Sequence, residues 1–269
     1  MTSTFVRGAN VHANGIRQHY LRFGGEGRKL LLVPGITSPA ITWGFVAERL
    51  GRHFDTYVLD VRGRGLSETG AHLDYGLDAC AADLAAFTLA MEFTEYDIIG
   101  HSMGARIAIR AASANPPGLG KLVLVDPPVT GPGRRAYPTP LSWYVGSIRL
   151  AVKGINGDAL KPFSPSWTDA QRQLRAEWLH TCDERAIVRS YDDFHDTDIH
   201  GDFAKLTAPT LLVAAGKGGV ILPEDIDELC ALKPSLKVAR VETAGHMIPW
   251  DDFEAFFPSF GAFLGTPDL

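Results

Sequence analysis

The chain has 269 residues, 45% of them hydrophobic and 21% charged, with a formal net charge of −5. That composition fits an ordinary globular protein; there is no basic run to suggest nucleic acid and no apolar run as long as a membrane span. Three scattered cysteines, Cys80, Cys182 and Cys230, argue against a disulfide framework, and the first residues carry no apolar secretory segment, so a soluble cytoplasmic protein is expected.

Residues 5–10 and 18–23 read as an antiparallel strand pair joined across Asn14-Gly15, a hairpin turn signal. The continuous apolar run 30–33 predicts a strand buried on both faces, and Pro34-Gly35-Ile36-Thr37 is the loop that leaves it. A helix is expected over 43–50 and a strand over 57–59. The glycine-rich stretch from Asp60 to Ser67 follows that strand; it lacks the lysine and spacing of a phosphate-binding loop and is read as a structural turn. A helix is predicted over 78–91, then a buried strand over 96–99. It runs into Gly100-His101-Ser102-Met103-Gly104 and a helix over 105–114. A strand, G-x-S-x-G and a helix together form a nucleophile elbow, in which small flanking residues allow a strained turn that holds the serine out at the helix N-terminus.

The next strand, 122–125, ends in Asp126-Pro127-Pro128, and no further strand pattern follows until 211–214. That interval far exceeds a simple crossover. It is rich in aromatics, and 142–152 and 168–181 look helical. The expectation is a core of residues 1–127 and 206–269 with an inserted helical cap, 128–205, over the strand ends where open α/β sheets bind ligands. The run from Asp192 to His200 does not match a metal-binding spacing and is read as a junction between cap and core. A helix over 223–232, a strand over 238–241 and a final helix over 251–264 complete the pattern. Strands and helices alternating in this way predict an α/β fold: a mostly parallel central sheet covered by helices on both faces.

The chemistry concentrates at the carboxyl ends of the strands. A serine hydroxyl is a weak nucleophile without an adjacent base. His246 follows the last strand in Ala244-Gly245-His246-Met247 and is the best placed of nine histidines. A lone histidine is more often structural, but its position at the edge that carries the elbow favours the base. His101 is given a packing role. The acid that orients such a histidine commonly lies after the penultimate strand; here that loop reads Ala215-Gly216-Lys217-Gly218-Gly219, with Gly219 where the acid would stand. Asp225 and Asp227 fall in the following helix, too late and expected to be solvated. Asp126, one strand earlier, gives the order Ser102, Asp126, His246, against the plainer reading of a turn-opening residue. Two backbone donors are needed for an oxyanion, and Ile36 N–H and Met103 N–H are the candidates.

Elbow, Asp60–Ser67 turn, cap and Gly245-His246 together resemble the α/β-hydrolase superfamily over essentially the whole chain. The longer runs from Val33 to Trp43, Val125-Asp126-Pro127-Pro128, Gly131 to Pro138 and Gly245 to Trp250 resemble the deformylases of aerobic bacterial nicotinic acid breakdown. That resemblance implies hydrolysis of N-formylmaleamate to maleamate and formate through Ser102, Asp126 and His246, with no cofactor and no metal. It also implies a small anionic amide as partner. The substrate carboxylate needs an anchor, for which Arg134, Arg135, Arg175, Trp178, His180 and His195 of the cap are candidates. Two alternatives stay open: an esterase or C–C bond hydrolase with the same machinery, and a ligand receptor that retains the triad.

Overall fold

The structure is a computed structural model that describes residues 2–269. Eight strands form one sheet: β1 (Phe5–Ala13), β2 (Ile16–Phe23), β3 (Lys29–Val33), β4 (Asp55–Leu59), β5 (Tyr96–His101), β6 (Leu119–Val125), β7 (Thr210–Ala215) and β8 (Lys237–Val241). Their spatial order is β1-β2-β4-β3-β5-β6-β7-β8. The β1–β2 and β2–β4 pairs are antiparallel and the rest parallel. The expected hairpin forms around Asn14-Gly15, with strands a few residues longer than the apolar pattern suggested.

Strands in the middle of the sheet are buried along their whole length, as continuous apolar runs require. Their residues alternate between two cores. Leu31 and Val33 face one side with Leu84, Phe87 and Ile107; Leu30 and Leu32 face the other with Trp43, Val46 and Phe256. The first side is covered by α2 (Leu77–Ala90) and α3 (Met103–Ala112), the second by α1 (Gly44–Leu50) and the C-terminal segment.

Between β6 and β7 lie α4 (Leu141–Ala151), α5 (Asp169–Trp178), α6 (Glu184–Asp196) and α7 (His200–Phe203). The first two match the expected helices; α6 and α7 were not foreseen. Buried Arg106 of α3 fastens this insertion to the elbow helix by donating to the carbonyls of Pro128, Thr130, Asp193 and Thr197. Asp193 in turn accepts from the Leu77 N–H at the start of α2, so the run from Asp192 to His200 is indeed a joint between insertion and core.

After β7, α8 (Pro223–Leu232) follows as expected. The single final helix does not form. The segment breaks into α9 (Ile248–Asp251), α10 (Phe253–Phe256), a short 3-10 turn and α11 (Gly261–Leu264). Asp252 leaves the helical region at φ −148° and caps α10 through the Ala255 N–H, and Pro258 lies where an uninterrupted helix would need its N–H. Among the described residues no helix is long and apolar enough to cross a membrane.

Candidate active site

Ser102 occupies the turn between β5 and α3 at φ 55° and ψ −120°, a region side chains rarely adopt. The turn closes so tightly that a Cβ on Gly100 would lie 2.6 Å from the Gly104 carbonyl oxygen, and one on Gly104 would lie 2.0 Å from that of Val33. Only glycine fits either position. The Ser102 N–H donates to Val125 O at 2.9 Å, and one strand over the Asp126 N–H donates to Val213 O at 2.8 Å. Each residue is thus the first beyond its strand, on neighbouring strands. Asp126 is also held at positive φ, 44°. Two adjacent strained non-glycine residues are the pattern of a site fixed by its surroundings.

His246 arrives from the loop after β8. Its Nδ1–H donates to Asp126 Oδ2 at 2.6 Å, and its Nε2 accepts from the Ser102 hydroxyl at 3.0 Å. Asp126, fully buried, also receives the Val220 N–H at 3.1 Å and, more weakly, the Ala215 N–H at 3.4 Å. Hydroxyl, imidazole and carboxylate therefore form one hydrogen-bonded chain. An imidazole whose Nδ1–H is committed to a carboxylate presents its free lone pair to the hydroxyl, which is the arrangement for removing the hydroxyl proton. The structure brings together the three residues singled out from sequence.

The loop after β7, where the acid of such a chain commonly sits, supplies only backbone donors. A Cβ on Gly219 would fall 2.3 Å from Asp126 Oδ2, so the carboxylate fills the space a side chain there would need. Asp225 is not solvated as expected: it is buried, pairs with Arg135 at 2.5 Å and accepts the Leu222 N–H at the start of α8. Asp227 is exposed.

The Ile36 and Met103 N–H groups donate to no other group among the described residues, leaving both available beside Ser102. The Ile36 loop is pinned from behind. Buried Arg64 donates to Ile36 O at 3.1 Å, and Arg175 donates to Thr37 O at 3.3 Å and Thr37 Oγ1 at 3.0 Å. Arg64 comes from the Asp60–Ser67 turn, whose hub is Asp60, accepting from Ala40 N–H, Leu66 N–H and His19 Nδ1. That turn is structural, as read.

His101 packs, but it does more than pack. Its Nε2–H donates to the His246 carbonyl at 3.0 Å, and its ring lies 5.1 Å from Trp43 and 5.0 Å from the His246 ring. Burial pushes its pKa down to about 3, so it stays neutral. The aromatic series continues from Trp43 to Trp250 and from Trp250 to Trp167 of the insertion.

A cavity of about 450 Å³ opens over Ser102 and His246. Core residues from Gly35 to Ser38 form one wall; Tyr144, Phe163, Trp167 and Arg175 of the insertion form another. Of the six sequence candidates for an anion anchor, Arg175 alone lines it. Arg134 is paired with Glu228 and Arg135 with Asp225, both on α8. His195 is committed to Tyr137 N–H and Tyr191 O, His180 is exposed, and Trp178 lies outside the cavity wall. Sequence reasoning missed Tyr144, whose hydroxyl shares a 3.0 Å hydrogen bond with buried Tyr137. It also missed Asp251, which lines the cavity and accepts the Gly245 N–H at 2.9 Å; partial desolvation at the cavity edge raises its pKa.

A family model described as the alpha/beta hydrolase family matches residues 30–258. N-formylmaleamate deformylase of Pseudomonas putida (strain KT2440) is 65% identical over 265 residues, covering 98% of this chain and 99% of that protein. The crystal structure of a serine-to-alanine variant of the N-formylmaleamic acid deformylase of Pseudomonas putida S16 superposes with a TM-score of 0.91 at 56% identity. It covers 95% of this chain and 100% of that one. The crystal structure of E-2-(acetamidomethylene)succinate hydrolase, 20% identical over 97% of this chain and 99% of that one, shares the fold at a TM-score of 0.80.

Proposed function

The chain belongs to the alpha/beta hydrolase family, and we propose that it hydrolyses the formyl C–N bond of N-formylmaleamate to give maleamate and formate. The observation that carries this reading is the 65% identity to N-formylmaleamate deformylase over nearly the whole of both chains. The hydrogen-bonded chain Ser102–His246–Asp126 supports the mechanism.

Ser102 Oγ attacks the formyl carbon, the least hindered carbonyl of the substrate, while His246 Nε2 takes its proton. The negative charge that develops on the formyl oxygen is taken by the Ile36 and Met103 N–H groups, which have no other acceptor among the described residues. Asp126 keeps Nδ1 protonated and stabilises the imidazolium. As the tetrahedral intermediate collapses, His246 returns the proton to the departing nitrogen. That nitrogen leaves as the primary amide of maleamate; its own acyl group withdraws electron density, so it departs more readily than an amine. Water then attacks the formyl ester of Ser102, with His246 again the base, and formate leaves. Every step uses groups of the chain and water. Residues 128–205 act as a cap closing the cavity over the core formed by 1–127 and 206–269, a role supported by the insertion residues in the cavity wall.

Formate release from N-formylmaleamate, measured beside a nitrophenyl ester and a ring-cleavage dienoate, tests the assignment. The formyl amide is expected to have the highest kcat/KM by a wide margin. Ser102→Ala should lower kcat at least about a thousandfold without loss of fold, and a phosphonate should label Ser102 in the wild type. A better ester or dienoate substrate would replace the deformylase reading with that of another hydrolase. Failure of any substrate to turn over repeatedly would favour a receptor.

A further inference from the structure

Arg175 is a buried charge without a counter-charge. It is 6% exposed, and no carboxylate of the protein lies within ion-pairing distance among the described residues. Burial accordingly lowers its pKa. Its guanidinium sits between two indoles, 5.5 Å from the Trp143 ring centroid and 5.8 Å from that of Trp167. A guanidinium carries five N–H donors. Arg175 gives two to Thr37, one from each terminal nitrogen, which leaves one on each; its Nε–H is buried with no acceptor, as are those of Arg106 and Arg172.

Removing a charge from water costs several kcal/mol, and a buried arginine is ordinarily matched by an acid or by a full set of carbonyls. The other buried arginines follow that rule: Arg62 pairs with Asp83, Arg172 with Asp169, Arg106 holds four carbonyls, and Arg64 holds three carbonyls and Ser190 Oγ. Arg175 breaks the rule, and it does so in the wall of the cavity that contains Ser102. Its one anchorage is Thr37, the residue after the Ile36 donor. The other charged wall residue, Asp251, lies on the His246 side, hydrogen-bonded to the Gly245 N–H, where it repels an anion.

We propose that Arg175 is the specificity-determining residue of the cavity: its unspent donors take the carboxylate of a small monoanionic N-acyl amide and hold the reacting carbonyl over Ser102. The inference rests on the deformylase reading for the identity of the substrate, but not for the presence of an anion site. The guanidinium fork matches a carboxylate with two parallel hydrogen bonds, whereas an ammonium offers only a point charge. Arg175 is buried and in contact with Trp143 and Trp167 before any ligand arrives, so little side-chain entropy is lost on binding.

The test compares N-formylmaleamate with N-formyl-(Z)-but-2-enamide, in which a methyl group replaces the carboxylate. The wild type should prefer the anion by about a hundredfold or more in kcat/KM, the worth of a charge-assisted pair in a closed site. Arg175→Met should reduce that preference to below about tenfold by raising KM for the anion, on top of a kcat loss shared by both substrates as Thr37 is released. Arg175→Lys should fall between the two. An unchanged preference in Arg175→Met would overturn the proposal, as would equal losses on both substrates, which would mark a merely structural residue. Calorimetric titration with maleamate, which does not depend on turnover, separates this from the reaction itself. If the wild type released no formate, the deformylase reading would fall. The anchor would still stand or fall on whether maleamate binding weakens at least about thirtyfold in Arg175→Met.

Discussion

Gly219 offers a sharp test of where the acid sits. Its ideal Cβ lies 2.3 Å from Asp126 Oδ2, 2.6 Å from Oδ1 and 2.8 Å from Cγ, whereas ordinary contact begins near 3.4 Å. Gly219→Ala must therefore push the carboxylate back by roughly 1 Å or distort its own loop. The displaced oxygen is the one that receives both His246 Nδ1–H and Val220 N–H. A misplacement of about 1 Å at a reacting constellation costs on the order of a hundredfold, and overpacking a dense interior costs about 1–3 kcal/mol. Gly219→Ala should thus lose about a hundredfold in kcat with KM little changed, melt earlier, and lose or shift the low-field proton resonance of the His246–Asp126 hydrogen bond. A variant with more than half the wild-type kcat and an unaltered resonance would refute the placement of the acid.

The converse is more demanding. Asp126→Gly alone should cost roughly 10²–10⁴ in kcat, because the imidazole loses its orienting partner. Adding Gly219→Asp puts a carboxylate into the volume just vacated, and glycine at position 126 also relieves a residue held at φ 44°. The double variant should recover at least about tenfold over Asp126→Gly. No recovery would mean that the two positions do not share one volume.

His101 has its pKa depressed to about 3 from an ordinary 6.5, so the unfolded chain binds the extra proton first as pH falls. Its contribution is complete above pH 6.5 and is lost toward pH 3. Relative to His101→Phe, the wild type should lose roughly 2–3 kcal/mol between pH 7 and pH 4.5 by denaturant titration; a gap constant with pH would contradict the assignment. Arg64 donates to the carbonyls of Ile36, Arg62 and Ala186 and to Ser190 Oγ, bonds that a lysine head cannot all reach. Arg64→Lys should therefore cost about 2–4 kcal/mol of stability and about tenfold in kcat as the Ile36 loop loosens; wild-type melting and turnover together would show that the loop needs no such support.

The legible parts of this fold are those whose cause is local in the chain. A run such as Leu30 to Val33 is apolar at every position because both faces of its strand are covered, and that shows without knowing its neighbours. Ser102 stands in a motif recognisable within a few residues: Gly100 is demanded by contacts inside the turn, and Gly104 by the end of the neighbouring strand at Val33. Asp126 and His246 could be placed because each follows directly from a strand, and strand ends share one edge. The final segment reads as one helix from its apolar residues alone, and it breaks where Asp252 caps a new turn and Pro258 interrupts the next.

The anion anchor shows a different limit. Arg134, Arg135 and Arg175 are chemically identical, and what separates them is which acid each meets. Arg134 and Arg135 are neutralised by Glu228 and Asp225, more than ninety and ninety residues further on respectively, a pairing that only the tertiary fold creates. Arg175 did carry a readable signal. On α5 it shares the buried face with Arg172 and Ala176. Arg172 has Asp169 three residues before it; Arg175 has Gln171, Arg172, Trp178 and Leu179 at its helical neighbours and so no local acid. An arginine on the buried face of a helix with no acid one turn away must find its counter-charge elsewhere. Where the fold brings none and a cavity adjoins, the missing charge is to be looked for in the ligand.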